Sequence, residues 1–180
     1  MAPLTAFLGL HGSIRRPAKE AVLQIFVDGD ACPVKDEIER VADRHDLIAH
    51  VVSNGGIRPS ANPRIRNVTV AEGADAADDW IVERIGSFDL VVTADIPLAS
   101  RCLKKNASVL GPTGKLFTEQ SIGMALGMRD LKRHLREATG SQTYNASFTK
   151  RDRSRFLGAL ENEIQAIKRR CARLANSAKE

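Results

Sequence analysis

Aromatic side chains are scarce in this chain of 180 residues, at 4% of the total, with one Trp and one Tyr. That poverty argues against a single-strand binder that works by stacking successive bases. Cysteine is scarce too: Cys32, Cys102 and Cys171 are odd in number and far apart. Such usage excludes a disulfide framework and points to a reducing, cytoplasmic setting. No Cys/His cluster has zinc spacing; His11, His45, His50 and His134 are scattered. No apolar run approaches the ~18 residues that a membrane span needs. The apolar run from Pro3 to Leu10 has no positive charge before it, and Arg15 and Arg16 come after it. A signal peptide has the reverse order, so residues 1–21 are read as a weakly ordered extension.

What the chain does have is an ordinary globular composition, 43% hydrophobic and 27% charged. Its length suits one domain, placed at 22–175. The net charge of +5 is unevenly spread. Residues 129–173 hold 12 Lys/Arg against 5 Asp/Glu, which leaves the rest slightly acidic. A basic part beside an acidic site suits a polyanionic partner; the alternative is a solvated helical surface.

Apolar runs alternate with helical spacing. Strands are expected at 24–28, 47–52, 67–73, 88–95 and 107–111. Helices are expected after Pro33, over 74–86 and over 96–106, and two more at 118–139 and 152–174. No hairpin signal interrupts this order. It predicts an α/β fold with a central, mainly parallel sheet of about five strands, helices on both faces and a C-terminal helical extension.

In such sheets chemistry collects where the strands end at their carboxyl side. Asp28 and Asp30 leave the first strand in "LQIFVDGDACPVKDEIERV", and Asp95 leaves the fourth. Asp75, Asp78 and Asp79 fall in the first turn of the helix after the third strand. Each has a plain structural explanation: Asp30, Asp75 and Asp95 are suitable helix caps, and Asp78 and Asp79 complement a helix dipole. Asp28 is the surplus carboxylate, at the end of a buried strand where desolvation is costly without a counter-charge. A shared hard cation, Mg²⁺ or Mn²⁺, accounts for all of them at once. Thr93, two residues before Asp95, is placed to orient a ligand or water. Arg58 and Arg64 of the Gly/Pro-rich loop, with Arg66, Lys104 and Lys105, are the candidate contacts to a polyanion. The chemistry this set implies is metal-assisted phosphoester hydrolysis, hence a nuclease.

The strings "VDGDACPVK", "VAEGADAADDWIVERI", "DLVVTADIPLA" and "LKRHLREATG…FTKRDRSRFLGALENEI" resemble the YaiI/YqxD family of bacterial proteins. The likeness runs over residues 24–170. It implies a PIN-like, NYN-type domain, a class that includes Mg²⁺- or Mn²⁺-dependent ribonucleases with clustered acidic residues. By position, it carries the metal-binding role to Asp28, Asp30, Asp75, Asp78, Asp79 and Asp95. It implies RNA as the partner and leaves room for a homo-oligomer. Members of the family lack the leading 20 or so residues and carry a Gly/Pro-rich segment where this chain has "TYNASF".

Two other readings fit the same residues. Asp-x-Asp after an apolar strand resembles haloacid-dehalogenase-type phosphatases, with Asp28 as nucleophile and Asp30 as acid/base. There the residue two after the second Asp is Thr or Val, and here it is Cys32. A PIN-like fold can also lose its metal and keep a surface for RNA or protein.

Overall fold

The computed structural model describes residues 23–30, 32–56, 58–71, 73, 75–128 and 148–177. The expected extension at 1–21, and the part of the expected helix beyond residue 128, lie outside them. Six strands are seen: β1 (Gln24–Asp28), β2 (Ile48–Ser53), β3 (Ile65–Thr69), β4 (Leu90–Val92), β5 (Ser108–Leu110) and β6 (Leu116–Phe117). The helices are α1 (Lys35–His45), α2 (Ala76–Arg84), α3 (Ile96–Leu103), α4, described over 119–128, and α5 (Lys150–Ser177).

The sheet order is β3-β2-β1-β4-β5-β6. All neighbours pair parallel except β5 and β6, which are antiparallel. Central parallel strands are covered on both faces, so they read as unbroken apolar runs. Ile25 and Val27 of β1 face one way, with Val92 and Leu110, toward Ile38 and Val41 of α1 and Phe156, Leu160, Ile164 and Ile167 of α5. Phe26 faces the other way, with Val91 and Val109, toward Ile81 of α2 and Leu98 and Cys102 of α3. Three layers follow, as the sequence predicts. The C-terminal helix α5 covers the sheet rather than standing away from it.

Local signals set the helix ends. α1 stops where Asp46 takes a left-handed conformation at φ 59°. α3 starts where the Asp95 side chain accepts from the Leu98 N–H at 2.8 Å.

Among the described residues, the crossover from β2 to β3 has no helix. Residues 58–64 return along α1 instead, held by Ser60 Oγ donating to Glu39 (3.2 Å) and Asn62 Nδ2 donating to Asp43 (2.8 Å). β6, which no apolar pattern announces, is a two-residue strand after the turn 111–115. In that turn Gly114 has φ +82°, and a Cβ there would lie 2.9 Å from the Arg155 carbonyl carbon. Gly114→Ala is therefore expected to cost at least about 1–2 kcal/mol in unfolding free energy, from the left-handed backbone alone. A denaturant midpoint unchanged from the parent would contradict the close packing of this turn on α5.

Candidate functional site

β1 and β4 lie side by side at the centre of the sheet, with Val27 opposite Val92. The chain leaves β1 toward α1 on one face and leaves β4 toward α3 on the other. This is the point where a parallel sheet opens a crevice at its carboxyl edge. Asp28 ends β1 there, half-buried. Its Oδ2 accepts a hydrogen bond from Thr93 Oγ1 at 2.9 Å. The same Thr93 oxygen accepts from the Asp95 N–H, also at 2.9 Å. Thr93 is only 2% exposed. Its hydroxyl is thus a link that sets Asp28 against the start of α3, not a group held out to a ligand.

The remaining carboxylates come from other elements. Asp30 Oδ2 accepts from the Asn54 N–H at 3.2 Å. Asp75 precedes α2 and makes no side-chain cap bond, against the expectation of a cap. Asp30 does not cap α1 either, since Val34 occupies that position. Asp95 does cap, which bears out the plain explanation for that residue. Asp79 is held by Arg101 Nη2 at 2.5 Å.

The charges meet at Asp78, half-buried in the first turn of α2. Burial pushes its carboxyl up to about 6, and the nearby charges of Asp95 and Asp28 add to the rise. Arg101 opposes them only in part. Burial also raises Asp28, with Asp30 and Asp95 contributing, against the lowering by its Thr93 bond. The charges of Asp28 and Asp95 thus reach Asp78, and those of Asp30 and Asp95 reach Asp28, at one sheet edge.

A family model described as Uncharacterized BCR, YaiI/YqxD family matches residues 26–166. This chain belongs to the YaiI/YqxD family. A UPF0178 protein of Mesorhizobium japonicum is 62% identical over 141 residues, covering 78% of this chain and 91% of its own length. One from Rhodospirillum rubrum is 59% identical over 148 residues, 82% of this chain and 99% of its own. One from Parvibaculum lavamentivorans is 56% identical over 147 residues, 82% and 97% respectively. No solved structure matches the chain. The family match spans every acidic position named above.

The donor set of this family member is oxygen-only and crowded, which fits a hard divalent cation in chemistry. Among the described residues, however, no three His, Cys, Asp or Glu groups already meet at a metal-holding distance. The side chains are engaged locally instead: Asp28 with Thr93, Asp95 with its cap, Asp79 with Arg101. Cys32 packs beside Asp28, Thr93 and Pro112, and burial pushes its thiol up to about 11, which disfavours the thiolate a nucleophile needs.

Several expected contacts fall elsewhere. Arg64 immediately precedes β3, at the amino edge of the sheet, where it pairs with Asp46 and Asp43. Lys104 and Lys105 follow α3, whose eight residues carry the chain about 12 Å away from Asp95. The chain direction decides both cases: a residue just before a strand, or one helix past it, sits at the opposite edge. Arg58 lines a separate cavity of about 230 Å³ with Lys35 and Ser60, on the α1 face. Arg66 is exposed within edge strand β3. Of the basic C-terminal residues, Arg170 and Arg173 lie with Ser87, Phe88 and Asn106, which precede β4 and β5, so they too stand at the amino edge.

Two neighbours of the cluster go unannounced by the sequence patterns above. Arg101 gives no signal, since only the packing of α3 on α2 brings it to Asp79. Asn54 is open to the same rule that finds Asp28, being a polar residue just past a strand end. Its Nδ2 donates to the Gly73 carbonyl at 3.0 Å, and its Oδ1 is buried with no partner among the described residues.

Asp78 yields a testable sign. Its carboxyl titrates near 3.8 when unfolded and near 6 when folded. The folded state therefore holds the proton more tightly, and stability falls as pH rises from about 4 through 6. Asp78→Asn removes that penalty. Allowing for solvent screening, it is expected to add about 1 kcal/mol at pH 7, or roughly 2–4 °C in Tm. At pH 3 the gain should vanish; an equal gain at both pH values refutes the assignment.

Proposed function

We propose that this YaiI/YqxD family member is a divalent-metal-dependent phosphodiesterase acting on nucleic acid, with RNA as its substrate. One observation carries the reading. Asp28, Asp78 and Asp95, from three different elements, raise or feel one another's charge at the carboxyl edge where β1 and β4 part. A structural role accounts for Asp95, as a cap, but not for Asp28 or Asp78, whose burial, with no ion pair among the described residues, costs free energy.

Mg²⁺ or Mn²⁺ bound there would supply a polarised phosphoryl oxygen and a bound water of lowered pKa. Asp28 and Asp78 would be its principal holders, with Asp95 beside them. Thr93 fixes Asp28 by its hydrogen bond. Arg101 holds Asp79 and tempers the negative charge around Asp78. Asp30 and Asp75 stand close enough to add to the local field. RNA as substrate is supported by the family's likeness to PIN-like domains and by the basic composition.

The test is direct. Purified protein is incubated with labelled single-stranded RNA, single-stranded DNA and a phosphomonoester, each with Mn²⁺, Mg²⁺ or a chelator. Cleavage of RNA that the chelator abolishes is the expected result. Turnover of the monoester alone, or no metal-dependent turnover of any phosphodiester, overturns the proposal.

A further inference from the structure

The amino edge of the sheet carries an open cavity of about 520 Å³, lined by Ser87, Phe88, Asn106, Arg170, Arg173 and Leu174. Among the described residues, no carboxylate lines it. Arg170 is anchored at its mouth, donating to Ser108 Oγ at 2.8 Å and pairing with Glu163. Asp89, next to Phe88 in the chain, is buried and turned to the Gln24 and Gly86 N–H groups. Arg173 is exposed, as are Lys104 and Lys105 on the turn that ends at Asn106. None of these three has an ion-pair partner among the described residues. The structure thus puts the exposed Arg173, an anchored guanidinium and one aromatic ring on a single concavity, with two exposed lysines on the turn that leads to Asn106 at its lining, a whole sheet depth from the acidic cluster.

Exposed positive charge around a concavity suits the backbone of a polyanion, and amide and hydroxyl groups suit its sugars and bases. We infer that this surface is a second contact for single-stranded RNA, which grips the strand at the amino edge while another part of it reaches the carboxylates. The RNA identity rests on the function proposed above. The separation has a consequence: α3 alone accounts for about 12 Å between Asp95 and Lys104, so a dinucleotide held at the carboxylates does not reach the surface, and a long strand does. Separating the grip from the carboxylates also keeps the phosphates' main attraction away from the negative site.

The experiment uses the full chain and a charge-reversed variant, Arg173→Glu with Lys104→Glu and Lys105→Glu. All three positions are exposed, so the variant should fold, with at most a small drop in melting temperature from carboxylates at the C-terminal end of α3. Binding of labelled long oligouridine is measured in chelator across a salt series, and hydrolysis of a dinucleotide is measured with Mn²⁺. The variant is expected to bind the long strand at least about tenfold more weakly. Its salt slope should flatten by about 0.7 for each phosphate that the variant no longer neutralises. Dinucleotide hydrolysis should be unchanged. Equal affinity and equal slope in parent and variant would overturn the inference, as would a parent that binds no RNA. If neither protein hydrolyses anything but the variant still binds more weakly, the surface stands and the hydrolase proposal falls.

Discussion

Asp28→Asn is expected to fold normally, bind RNA and cut it on the order of 10³-fold more slowly. The substitution is close to isosteric, and the amide oxygen still accepts from Thr93 Oγ1. It also removes a carboxyl that burial already disfavours in its charged form, so stability should hold or rise. The loss should fall on kcat with KM little changed, because the proposed function puts Asp28 at the reacting end and not on the basic surface. Asp95→Ala would be a poorer probe. Asp95 caps α3, and losing a cap costs up to about 2 kcal/mol, so lost activity there mixes chemistry with folding. Single-turnover cleavage in Mn²⁺, set beside a thermal melt, separates the two. An Asp28→Asn protein that cuts RNA at the parent's rate removes the site from consideration.

Phe156→Ala should be the most damaging single change to the fold. The Phe156 ring is fully buried in the layer between the sheet and helices α1 and α5. Truncating a buried Phe to Ala typically costs about 3–5 kcal/mol, from lost transfer energy and the cavity left behind. That is a large share of the roughly 5–15 kcal/mol by which a domain is ordinarily stable. Collapse into the space is restrained, because the same end of α5 abuts the Gly114 turn and Arg153 holds the buried Glu37 carboxylate at 3.1 Å. Denaturant unfolding reads the loss; a cost below about half the lower figure would mean that α5 is docked far more loosely than its burial implies.

The legible parts of the fold are those where one physical cause dominates. β1 and β4 are buried on both faces and announce themselves as "QIFVD" and "LVV". α5 shows its stripe at Phe156, Leu160, Ile164 and Ile167. β3 lies at the sheet edge and is buried at none of its five positions, so its apolar signal is weak and places its start two residues late. β6 is too short for any periodicity, with Leu116 44% exposed. The acidic cluster is legible because all its members obey one rule, that of strand ends and first helical turns. Which of them would cap is not, since Asp75 and Asp95 look alike in sequence and only Asp95 bonds a helix N–H. The basic residues lie away from the acidic cluster for a reason the sequence does contain. Lys104 and Arg64 lie half a βα unit out of phase with the site, and counting elements places them at the other edge.

The position of α5 in the chain bears on synthesis. Its apolar stripe closes the layer over Val27, Val92 and Leu110, yet it is the last described element to leave the ribosome. Its partners on α1 are made long before: Glu37 and His45 each meet a residue 116 positions later. Until that segment emerges, the nascent chain displays the apolar part of that sheet side which α1 alone does not cover. Premature termination ahead of residue 150 would leave that part bare for good, so truncated products should be clients for chaperones and proteases rather than partly active fragments.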